Sequence, residues 1–193
     1  MSRDGVLVLY HDAALERKTR LKGRVADYSA ATLLATDIGT WFDEQHPEVE
    51  RRYAGTKITT LDRVLAEFSD TFLWHIEIKG AQPELPERVL AAVREHDLLD
   101  RVMITSFLFD HVAKVRELDG DVPLCLRMRD PKTPVASLPT SQREALLESQ
   151  RERIVQAKNA GLDMVGLRAS VMTPEIIAFA REEQGLAIRA WGI

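Results

Sequence analysis

The side chains in this sequence that can do chemistry stand at the ends of short apolar runs. His11-Asp12 follows VLVLY, Glu77 and Lys79 close LWHIEIK, Ser106 follows VMIT, Arg168 follows MVGL and Trp191 ends AIRAW. An imidazole in the position of His11 can give a proton to a leaving oxygen near neutral pH. The alternative is a histidine that holds a loop by hydrogen bonding. Strand alternation puts His75, Glu77 and Lys79 on one face and Trp74, Ile76 and Ile78 on the other. A carboxylate and an ammonium are costly to bury unless paired or bound to a metal. Glu77 therefore reads as an oxygen ligand for a hard divalent cation, Mg²⁺ or Ca²⁺, with Lys79 facing a phosphate; an ion pair between the two is the plainer alternative. His75, deeper on that face, reads as a core histidine, and His46, His96 and His111 as exposed.

The remaining candidates carry weaker signals. Ser106 lacks the G-x-S-x-G turn of a serine nucleophile, so its hydroxyl is expected to contact ligand or water instead. Trp191 suits an apolar wall for a substrate or a place in the core, and Arg168 an anion site or the surface. The single cysteine, Cys125, lies inside PLCL and reads as a small buried hydrophobe.

Positioning such residues falls to an alternation of strands and helices. Val6–Tyr10 reads as a valine-rich strand, and residues 13–60 as an irregular inserted segment with a brief helix at Ala30–Leu34. A helix capped by Thr60 follows, with Leu61, Val64, Leu65 and Phe68 at helical spacing. Strands are expected at 72–78, 102–105, 123–128, 164–167 and 187–191. Helices are expected at 84–96, 110–118, 141–159 and 173–183. Such repeats need right-handed crossovers and a mainly parallel sheet. In that architecture the carboxyl ends of the strands form the ligand-binding mouth, where these candidates would meet. The six strands fit most of a (β/α)₈ TIM barrel better than an open dinucleotide sheet, because no G-x-G-x-x-G follows the first strand.

Composition narrows the partners. The 193 residues fit one domain; 45% are hydrophobic and 29% charged, as in an ordinary soluble protein. A net charge of −4 argues against nucleic acid or an anionic membrane surface as partner. No apolar stretch approaches the roughly 20 residues of a transmembrane segment. With one cysteine and a charged MSRDG start, the chain reads as cytoplasmic.

The motifs together resemble the glycerophosphodiester phosphodiesterase family. The strand ending in His11-Asp12, the following Leu15-Glu-Arg17-Lys-Thr19 and Gly23-Arg-Val25, and Ile76-Glu77-Ile78-Lys79 are similar to that family's landmarks. So are Asp37-Ile-Gly39-Thr-Trp41-Phe42, Thr105-Ser106-Phe107 and Arg189-Ala190-Trp191. The resemblance implies a TIM barrel and metal-assisted hydrolysis of a small glycerophosphodiester to glycerol 3-phosphate and an alcohol. It implies His11 as the general acid, Glu77 as a ligand of Mg²⁺ or Ca²⁺ and Lys79 beside the phosphate. The neighbouring glycerol hydroxyl would attack phosphorus to give a cyclic phosphate. The family's H-R-G and E-x-D strands, with a second histidine and two more carboxylates, have no counterpart among these residues, nor does the family's last helix. The expectation is a partial barrel with weak or no turnover, whose open strand edges favour self-association. A non-catalytic phosphate-ester-binding or structural relative is the alternative.

Overall fold

The computed structural model describes residues 1–69 and 71–192. They divide into two compact units, one of Met1–Phe72 with Lys79–Leu98, the other of Leu73–Ile78 with the chain from Leu99 onward. In the first unit, α1 (Ala30–Ala35) is the brief helix expected there, α2 (Gly39–Gln45) lies in the surrounding segment expected to be irregular, and α3 (Leu61–Phe68) and α4 (Leu85–Glu95) follow. Leu15, Leu33 and Ile58 form its small core, covered by Val8, Tyr10, Leu21 and Tyr28. Each fully buried aliphatic side chain of this kind contributes about 1.5–3 kcal/mol. The Thr60 hydroxyl accepts from Arg63 N at 3.1 Å and starts α3 as its sequence predicts. The α2 helix has a hidden start signal. Asp37 accepts from the backbone N–H groups of Gly39 and Thr40 at 2.8 and 2.9 Å, satisfying donors a helix otherwise leaves orphaned.

The Val6–Tyr10 run is not a strand of the sheet, which corrects the expectation of six. Val8 makes only an isolated antiparallel bridge to Thr60, with Leu9 N donating to Thr59 O and Leu61 N to Leu7 O. A β-branched run favours extended backbone, but its sequence does not name the backbone it pairs with. Here that is the entry to α3.

The second unit holds β1 (Trp74–Ile78), β2 (Val102–Ser106), α5 (Phe109–Leu118), β3 (Leu124–Arg127), α6 (Thr140–Asn159), β4 (Met164–Arg168), α7 (Pro174–Ala178) and β5 (Ala187–Trp191). Its five strands lie in sequence order and every pairing is parallel, so the sheet is unclosed. Parallel strands need crossovers, which α5, α6 and α7 supply between β2 and β5. One face of the sheet carries Ile104, Leu124, Leu126, Val165 and Leu167, all fully buried. The opposite face carries Glu77, Thr105, Cys125 and Met164 in one register row, and Arg127, Gly166 and Arg189 in the next. Thr105 and Cys125 are buried there, whereas His75 and Arg189 are exposed. The core histidine expected at position 75 is thus a surface one, because β1 ends the sheet. His111 departs the other way: it is buried in α5.

Candidate active site

Parity along the strands decides which candidates share a surface. Glu77 pairs with Thr105 and lies on the polar face; Ile78 pairs with Ser106 on the buried face. Ser106 is accordingly fully buried, donates to Ile78 O at 2.8 Å and accepts from Leu108 N at 3.1 Å. Its hydroxyl joins backbone to backbone, in place of the ligand contact expected of it.

Glu77, Arg168 and Trp191 do converge at the carboxyl end of the sheet, around a residue that sequence reasoning passed over. Arg127, ending β3, reaches Glu77 Oε2 with Nη1 at 2.6 Å, and both side chains are 18% exposed. Glu77 is thus met by a cation from β3, fifty positions away. The Arg127 guanidinium lies 4.4 Å from the Phe107 ring centre and 4.7 Å from that of Trp191. Arg129 stacks at 5.2 Å on Phe107, and Arg168 at 4.0 Å on Trp191. The two rings meet edge to face at 5.1 Å, and the Trp191 indole N–H donates to Gly166 O at 3.2 Å. Each cation–ring contact is worth about 0.5–2 kcal/mol, increasing with desolvation. The alternation Arg127-Met128-Arg129 after LCL was the legible signal: two arginines at even spacing past a strand end share a face.

The field of this face is positive. His75 is held below the usual imidazole range, first by partial desolvation and then by Arg189 and Arg127. Burial pushes the Cys125 thiol up, which leaves it an unreactive hydrophobe.

In the first unit, His11 Nδ1 lies 2.7 Å from Asp12 Oδ1, with the imidazole 72% exposed and the carboxylate 8%. Asp12 titrates below the usual carboxylate range, chiefly through this hydrogen bond, with Lys18 and Arg17 adding to it. A carboxylate on Nδ1 orients the ring and leaves Nε2 outward for proton transfer. Lys79 directly follows β1 and is exposed.

A family model, the glycerophosphoryl diester phosphodiesterase family, matches residues 1–193. The chain belongs to this family. It is 34% identical over 132 residues to the glycerophosphodiester phosphodiesterase of Bacillus subtilis, covering 64% of this chain and 45% of that one. A relative from Caldanaerobacter subterraneus with the same name is 33% identical over 111 residues, 55% of this chain and 43% of its own. The chain thus spans under half the length of either relative. A glycerophosphodiester phosphodiesterase from Agrobacterium tumefaciens superposes with a TM-score of 0.66 at 21% identity, over 98% of this chain and 69% of that one. An Oleispira antarctica phosphodiesterase, solved with its product sn-glycerol 3-phosphate, gives a TM-score of 0.65 at 17% identity over 100% and 70%. These likenesses assign the fold class: α/β of the TIM-barrel type, here with five parallel strands unclosed.

The family is generally dependent on a divalent cation. A hard cation needs several oxygen ligands. Glu77 is engaged by Arg127, and no group of three or more His, Cys, Asp or Glu able to hold a metal occurs among the described residues. This set does not fit a resident divalent cation. No helix among the described residues is long and apolar enough to cross a membrane.

Proposed function

We propose that this chain carries the glycerophosphodiester-hydrolysing chemistry of its family, with His11 as proton donor to the leaving alcohol. The observation that supports this most is the family match over all 193 residues, with Glu77 at the carboxyl end of a strand in a parallel sheet. Asp12 accepts from His11 Nδ1, so it is the imidazolium form of His11 that carries the transferable proton on Nε2. The glycerol hydroxyl next to the ester attacks phosphorus and gives its proton to solvent water, a new P–O bond forms, the bond to the alcohol breaks, and the Nε2 proton goes to the departing oxygen. Water then opens the cyclic phosphate to glycerol 3-phosphate. Lys79 is suited to offset charge on phosphoryl oxygens, and Trp191 and Arg168, in the second unit, to meet a substrate's alcohol part. No step is assigned to Mg²⁺ or Ca²⁺, and turnover is expected to be slow for that reason.

Release of glycerol 3-phosphate from glycerophosphoglycerol, with and without Mg²⁺ or Ca²⁺, tests this. Turnover should fall about 100-fold or more in His11→Ala, the typical contribution of a general acid. Unchanged turnover in that variant removes His11 from the chemistry. The Glu77–Arg127 pair favours a second reading, a phosphate-ester-binding protein without turnover. Binding of the diester with no product at any metal concentration would select it. The substrate in either case is a small glycerophosphodiester.

A further inference from the structure

We propose that the arginine-lined rim of the second unit selects glycerophosphodiesters whose alcohol bears its own negative charge, a carboxylate or a second phosphate, over those with a quaternary ammonium alcohol. The proposal rests on the phosphodiester reading above and names its substrate class. Phe107 and Trp191 are two aromatic walls of the kind that attract a quaternary ammonium, but only through open ring faces. Here Arg127 and Arg129 lie on Phe107, and Arg127 and Arg168 on Trp191, so cations of the chain itself already cover the rings.

The guanidinium charge is not used up locally. Arg127 is neutralised by Glu77. Arg129 and Arg168 have no carboxylate partner for their side chains among the described residues, and Arg168 Nε is buried without an acceptor. Asp130, next in sequence to Arg129, accepts instead from the Arg168 backbone N–H at 3.0 Å and from the Gln150 amide at 3.3 Å. Arg189 lies in register with Arg127 on the same face, and among the described residues its guanidinium meets the Met103 sulfur as acceptor, at 3.6 Å.

Glycines make the room. A Cβ on Gly192 would stand 2.6 Å from Arg168 Nη1, and one on Gly166 3.1 Å from Arg127 Cγ. Planar guanidiniums held against rings are preorganised to bind carboxylate or phosphate with two parallel N–H bonds. A fixed cation meeting a second cation across the same rim is repelled, and this is how a charged site rejects a competitor.

Calorimetric titration of the purified chain with four diesters of glycerol 3-phosphate tests this. Their alcohols are choline, glycerol, glycolate and ethylene glycol monophosphate. The glycolate or the phosphate diester, or both, should bind at least tenfold tighter than the choline diester, and whichever leads identifies the anion. The preference should disappear in Arg129→Met/Arg168→Met and persist in Arg129→Lys/Arg168→Lys. Choline binding as tight as either anion, or a preference that survives the methionine pair, overturns the proposal. If the glycerol diester binds in those cases, the phosphodiester reading stands without it. If no diester and no sn-glycerol 3-phosphate binds, both fall.

Discussion

Asp37 shows how much one exposed-looking carboxylate can organise. Its oxygens accept from the N–H groups of Gly39, Thr40 and Gly55 and from the Thr40 hydroxyl. Those bonds, led by the Thr40 and Gly55 backbone donors, lower its pKa to about 2. A carboxyl group depressed in the folded state stabilises it fully above the unfolded value, near 4, and loses that contribution as pH falls through about 2. Asp37→Asn should therefore unfold at lower urea than the parent at pH 6, and the two midpoints should converge between pH 4 and 2. A gap independent of pH would mean that the carboxylate charge contributes nothing. Elsewhere at this scale, His11, Glu77 and Lys79 stand out as candidates because polar groups closing apolar runs are conspicuous. The cation that meets Glu77 was not, since Arg127 comes from a strand fifty positions on.

Single elements in the second unit are tied together by Arg116 near the end of α5. Its guanidinium donates to the carbonyls of Asp119, Gly120, Val122 and Gly161, and to Asp163 Oδ2 at 2.6 Å. Asp163 in turn accepts from Leu124 N, so the end of one helix and the starts of β3 and β4 share a fastening. The side chain is only 15% exposed, so its loss leaves several carbonyls poorly solvated. Arg116→Met should cost about 2–3 kcal/mol in equilibrium unfolding, with Arg116→Lys recovering little because an ammonium cannot span five acceptors. A loss under 0.5 kcal/mol would show that water replaces the guanidinium freely. The helices and strands of this unit lie within a few residues of where their periodicity puts them. The helix α2 escaped because its first residue is glycine and its start depends on Asp37, two residues upstream.

At the scale of the molecule, β1 and β5 stand at the two ends of the sheet among the described residues, and Leu73, just before β1, is 81% exposed. End strands of a sheet with exposed apolar side chains nearby favour pairing between copies. Sedimentation velocity should show association that rises with concentration, and Leu73→Lys should shift the distribution toward monomer, as charge on an edge does. A wild-type monomer at every concentration would show the edges to be protected. The chain's net charge of −4 coexists with a positive rim, so whole-chain charge said nothing about the site.

Periodicity is a property of neighbouring residues, and it alone determined the alternation of strands and helices, the parallel sheet and the faces of each strand. Motif spacing carried the family as well. Pairing is decided by residues far apart, and only the tertiary structure could settle it. It gave Val6–Tyr10 an antiparallel partner outside the sheet and turned Ser106 into the buried face. It also set Arg127 between Glu77 and two aromatic rings. Hydrogen bonds and ion pairs form with whichever group the fold brings near, and nothing local in the sequence encodes that choice.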